Sequence, residues 1–160
     1  MPKKSTLQEV SMHDKLFNRL HQEHEEVKQI MIKMMNSGTE KRGDLVNELK
    51  TALLPHMEGE EKVFYTEIMD KNETHQITLE AFLEHRVARN LFNELENSRV
   101  DADDWLARTK VLKDILEHHI EEEESEMFEA TEKIISHEKM DQIFNNYLQE
   151  EKGFKDRLAA

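Results

Sequence analysis

The most constraining feature of this 160-residue chain is a histidine paired with a glutamate four residues later, present twice. The first copy is His56-Met57-Glu58-Gly59-Glu60-Glu61, trailed by Val63-Phe64. The second is His119-Ile120-Glu121-Glu122-Glu123-Glu124, trailed by Met127-Phe128. In a helix, positions i and i+4 lie on one face, so each copy presents an imidazole and a carboxylate together. Each also extends an apolar stripe: Leu45, Leu49 and Leu53 lead into His56, and Leu112 and Ile115 lead into His119. A glutamate on a core-facing stripe is costly unless it is paired or bound to a metal.

The rest of the chain supplies helices to hold these segments. Gly 4 and Pro 2 leave few interruptions in a sequence rich in Glu, Lys, Leu and Met, which favours helix nearly throughout. One domain is expected at this length. Helices are expected over 12–35, 43–69 and 74–97, and a fourth is expected to follow the Asp101–Asp104 loop and run to 136. Asn36-Ser37-Gly38-Thr39 and Asp70-Lys71-Asn72-Glu73 separate the first three. Pro55 predicts a kink just before His56. No alternation of period two proposes a sheet. The expected fold is all-α, an antiparallel up-down-up-down four-helix bundle over 12–136. Residues 1–11 read as a polar tail. Residues 137–160 read as a short fifth amphipathic helix with Met140, Ile143, Phe144, Tyr147 and Leu148, and a polar end that frays from Lys152. That segment is expected to pack across the bundle or onto a partner, and is the place for a protein partner or a homodimer contact.

Charge and cysteine content remove whole classes of function. The net charge of −13 argues against nucleic acid and against an anionic membrane surface. The absence of cysteine excludes disulfides, iron–sulfur clusters and thiolate metal sites. The N-terminus lacks the apolar stretch of a signal peptide and no apolar run has spanning length. The natural expectation is a soluble cytoplasmic protein.

The first and third helices carry one core-stripe histidine each. His24 falls between Leu20 and Val27, and His85 falls between Ala81 and Ala88. Either alone is more simply a packed core residue. Together with the repeated pairs they make a joint pattern of one core histidine per helix, giving His24, His56, Glu60, His85, His119 and Glu123 as candidate metal ligands. Nitrogen and oxygen donors without sulfur suit iron, zinc or manganese. Six donors exceed the need of one tetrahedral zinc. They fit two ions, each with two histidines, bridged by both carboxylates and by an oxo or hydroxo group, with a position left on each ion for a small ligand. His118 with Glu122 repeats the spacing one residue earlier, though the stripe favours His119 and Glu123. His21 is an additional candidate ligand or supporting residue. His13, His75 and His137 fall near helix ends and are expected to be exposed.

These segments resemble the hemerythrin-like family, the HHE cation-binding domain. The resemblance is carried by Leu20-His21-Gln22-Glu23-His24-Glu25-Glu26-Val27, His56 to Tyr65, Leu83-Glu84-His85 and His118 to Phe128, over residues 12–135. It implies a four-helix bundle around a non-haem di-iron centre, with the four histidines as terminal ligands and Glu60 and Glu123 as bridges. The oxygen carriers of that family have two histidines four apart on the third helix. Here Ala81 and Arg89 flank His85 at that spacing, so the resemblance implies one histidine fewer and an additional exchangeable position. It implies binding, storage or sensing of dioxygen. The alternatives are an enzyme that decomposes hydrogen peroxide, nitric oxide handling, or iron sensing. The ferritin-like di-iron bundles use Glu-x-x-His, and no histidine here has a glutamate three residues before it.

Overall fold

The structure, a computed structural model, describes residues 14–160. The expected tail over 1–11, the helix start at Met12 and the exposed His13 lie outside those residues. Helix α1 (Lys15–Met35) is started by Asp14, whose carboxylate accepts from the amides of Leu16 at 2.9 Å and Phe17 at 3.3 Å. That cap satisfies two donors that a helix start leaves free. Helix α2 (Thr39–Gly59) starts ahead of the expected Gly43, with Gly38 at its N-cap, and runs through Pro55.

Departure from α geometry comes after Gly59, not at the proline. The chain makes a π-helical turn, π1 (Glu60–Tyr65), and finishes with α3 (Thr66–Ile68). Helices α4 (His75–Glu96) and α5 (Trp105–Glu122) follow. A second π-helical turn, π2 (Glu123–Met127), then leads into α6 (Phe128–Ile134). Both π turns therefore begin at the glutamate of a His-x-x-x-Glu pair. Such turns add a residue to the ladder and concentrate at functional sites. Their effect on packing is a slip of the buried face, so that two successive residues point inward: Phe64 and Tyr65 after the first, Met127 and Phe128 after the second. Val63, expected in the core, is half-buried, and Phe64 and Tyr65 are the true counterparts of Met127 and Phe128.

The direction of each helix follows from the order of its buried residues. One apolar cluster contains Met31, Leu53, Phe92, Trp105 and Leu116. The other contains Leu20, Phe64, Ala81, Met127 and Tyr147. Helix α1 passes from the second cluster through His24 to the first. Helix α2 passes from the first through His56 to the second. The alternation repeats through His85 on α4 and His119 on α5, so the bundle is up-down-up-down and the four histidines form one polar layer between two apolar clusters. All described elements are helical, and none of these helices is long and apolar enough to cross a membrane.

The fifth helix, α7 (His137–Ala159), has 23 residues and is capped by the Ser136 hydroxyl, which accepts from the Lys139 amide at 3.2 Å. Its face of Met140, Ile143 and Tyr147 is buried in the second cluster, so the segment packs across the bundle, with Phe144 and Leu148 half-buried. The polar end from Lys152 remains helical to Ala159. It is held at Glu151, which is buried and lies 2.5 Å from Arg19 Nη2 on α1.

Candidate metal centre

The polar layer brings all six predicted residues together. His24, His56, His85 and His119 are buried, as are Glu60 and Glu123 at 0% and 1% exposure. Glu60, His85, His119 and Glu123 each offer a ligand atom within 4.8 Å of the others, and so do His24, His56 and Glu60. Glu60 thus belongs to both groups. Its Oε1 lies 2.7 Å from His56 Nε2 and 3.5 Å from His85 Nε2. Glu123 also spans the layer, with Oε2 3.0 Å from His119 Nε2 and Oε1 3.9 Å from His24 Nε2.

A second ring of carboxylates lies outside the first. His24 Nδ1 is 2.7 Å from Glu124, His56 Nδ1 is 3.3 Å from Glu23, and His119 Nδ1 is 3.1 Å from Glu84. His85 Nδ1 faces Glu61 at 3.4 Å without a formed hydrogen bond. An ionised carboxylate only accepts, so each Nδ1 bonded to one carries a proton and Nε2 is the inward atom. Such outer partners orient imidazoles for metal binding and raise their basicity. The ring closes around the bundle: α1 supports α2 through Glu23, π1 supports α4 through Glu61, α4 supports α5 through Glu84, and π2 supports α1 through Glu124. Arg19 backs Glu23 at 3.2 Å and Arg89 backs Glu61.

Two tyrosines complete the layer. The Tyr65 hydroxyl donates to Glu123 Oε2 at 2.5 Å and lies 3.3 Å from Glu60 Oε2 and 3.4 Å from Nε2 of both His85 and His119. The Tyr147 hydroxyl donates to Glu23 Oε1 at 2.5 Å and lies 3.3 Å from His56 Nδ1. None of the four outer glutamates was anticipated. Their signal was present, since Glu23 and Glu84 immediately precede His24 and His85, and Glu61 and Glu124 immediately follow the inner glutamates. The other candidates stand outside. His21 is exposed and shares Glu124 with His24 from 2.8 Å. His118 is exposed and sits 3.3 Å from Glu122 and 3.5 Å from Glu84. His75 and His137 are exposed as expected.

Without a metal, protons balance the layer. Burial opposes charge on His56, yet Glu60 and Glu23 hold its pKa well above the ordinary value. Burial likewise opposes charge on His119, but Glu123 and Glu84 raise it to about 10. Burial works against ionised Glu60, and His56 still holds it well below the carboxylate range. Burial and the Glu60 charge push Glu123 up to about 8. Burial, aided by the charge on His56, pushes His24 down to about 4. Two atoms of the inner set, His24 Nε2 and Glu123 Oε1, have no hydrogen-bond partner, and Glu60 Oε1 faces His56 in a direction that forms none. Orphaned buried donors and acceptors are expensive. A cation among Nε2 and carboxylate atoms would satisfy them, so the residues fit one.

On the imidazole face of the layer is a cavity of about 10 Å³. The four histidines and apolar side chains such as Val27, Leu53, Met57 and Leu116 enclose it. A water needs roughly 10–15 Å³ and polar partners, so this space suits one very small guest.

Fold and site define a helical bundle whose buried imidazoles and carboxylates converge on a cation position. The hemerythrin HHE cation-binding domain model matches residues 9–131, and the chain belongs to that family. No curated protein and no solved structure matches the chain.

Proposed function

We propose that the protein binds dioxygen, or a related small oxidant, at a non-haem di-iron centre in the bundle core, for oxygen binding, storage or sensing. His24 and His56 would hold one iron and His85 and His119 the other. Glu60 and Glu123 would bridge them, beside an oxo or hydroxo group. The observation that carries this reading is the small apolar cavity against the four imidazoles. Its volume admits only a very small guest, and its walls beyond the imidazoles are apolar. The iron pair supplies electrons that a bound oxidant can accept and return. The chain's own part is to exclude solvent through the two apolar clusters and to fix His24, His56 and His119 through their outer carboxylates.

Protein loaded with iron and reduced under nitrogen is expected to take up dioxygen and to release it when nitrogen is restored, with its visible spectrum cycling between two forms. Irreversible oxidation on first exposure would overturn reversible binding and would favour the catalytic alternative, breakdown of hydrogen peroxide.

A further inference from the structure

The two His-x-x-x-Glu copies are followed, at equal separation, by different aromatic residues: Tyr65 after His56 and Glu60, and Phe128 after His119 and Glu123. Each stands at the end of its π turn or just beyond it. Phe128 stacks on Phe17, with centroids 4.1 Å apart and planes within 12°. Tyr65 instead carries its hydroxyl into the polar layer, where its four neighbours are Glu123 Oε2, Glu60 Oε2, His85 Nε2 and His119 Nε2 at 2.5–3.4 Å. These residues make up one of the two fully buried convergent groups. Neighbouring donors on a single ion with bonds of about 2.1 Å lie roughly 3.0 Å apart in octahedral and 3.4 Å in tetrahedral arrangement. The Tyr65 oxygen therefore stands at ligand spacing from Glu60, His85 and His119 and closer still to Glu123, to which it donates, and none of its hydrogen-bond partners is His24 or His56.

We propose that Tyr65 is a fifth protein ligand, through its phenolate oxygen, to the metal held by His85, His119, Glu60 and Glu123. This rests on the di-iron reading and deepens it. In the metal-free chain the phenol keeps its proton and donates it to Glu123. Metal binding releases that proton to solvent, because a coordinating cation favours the anionic donor. The absence of a second histidine on α4 then leaves no additional open place on this ion, since a tyrosine from π1 fills it. The two metals become unequal, and the small guest binds to the ion held by His24 and His56.

The test compares full-length wild type, Tyr65→Phe and Tyr147→Phe, each loaded with iron and oxidised. Iron content is measured by elemental mass spectrometry and the metal-free melting temperature is followed in parallel. Wild type is expected to show a visible phenolate-to-iron charge-transfer band. Resonance Raman excited in that band should reveal ring modes that shift with ring-deuterated tyrosine. Tyr65→Phe should lose the band while keeping two irons, and Tyr147→Phe should retain it. Two irons in wild type without such ring modes would overturn the ligand, whether or not Tyr65→Phe folds. An unchanged band in iron-loaded Tyr65→Phe would do the same. Failure of wild type to take up iron would overturn the di-iron centre, and this assignment with it.

Discussion

The two halves of the centre start from the same sequence pattern and end in different surroundings. In the half built on His24 and His56, the outer support comes from α7, where Tyr147 donates to Glu23, and from Arg19. In the half built on His85 and His119, a tyrosine enters the layer itself. The first half is also divided within itself, His24 being held down to about 4 while His56, like His119 across the layer, is raised. A repeated motif thus fixes which atoms converge. Residues outside the motif decide how each half behaves.

The sharpest break of the comparison is Glu60→Ala, because Glu60 lies against histidines of both halves. Iron content is expected to fall from two per chain towards none, measured on protein loaded under identical conditions. Retention of a full pair would mean that Glu60 is no bridge. Next in size, His56→Ala and His119→Ala should each leave about half of the iron. Only the His119 variant should also lose the Tyr65 band. Equal spectra in the two variants would erase the asymmetry.

Acid and alkali should also act on different imidazoles of the metal-free protein. The depressed pKa of His24 means that the unfolded chain takes its proton first, so stability is lost as pH falls from about 6.5 towards 4. The raised pKa of His119 contributes stability that is complete below about 6.5 and lost as pH rises through about 10. Thermal melts across pH should show both flanks, and His119→Gln should diminish the alkaline one, to which the raised His56 also contributes. The smallest effects belong to the outer ring. Glu84→Gln and Glu23→Gln should each weaken iron binding by about 10–100-fold, read by chelator competition. Tyr147→Phe should cost less, about 0.5–1.5 kcal/mol, and only in the His56 half.

Much of this was legible in the sequence because burial and polarity collide at few positions. A histidine inside an apolar stripe on each of four helices marked the candidates, and the two glutamates followed from spacing, while the common level of the four came only from the packing. What escaped were features that depend on neighbouring helices. Glu23 and His24 are adjacent in sequence and so point to different partners; Glu23 supports His56 on α2. The π turns escaped for another reason. A stripe extrapolated at α-helical period puts Val63 inward, whereas one inserted residue puts Tyr65 there, and no local propensity marks that insertion. Tyr147 was legible as part of an apolar face, but nothing in a single amphipathic segment says which bundle face it covers, so its bond to Glu23 was not.

The packing of α7 has a consequence for the chain as an autonomous folding unit. Residues 137–159 fall beyond the segment matched to the family, 9–131, yet Met140, Ile143 and Tyr147 complete one of the two apolar clusters. Gly59 gives Tyr147 its close approach, since a Cβ there would stand 2.6 Å from the ring. A fragment cut at the family boundary would expose the aromatic floor beneath the metal layer and release the hydroxyl that steadies Glu23. The smallest fragment that folds as this protein does therefore extends through the fifth helix.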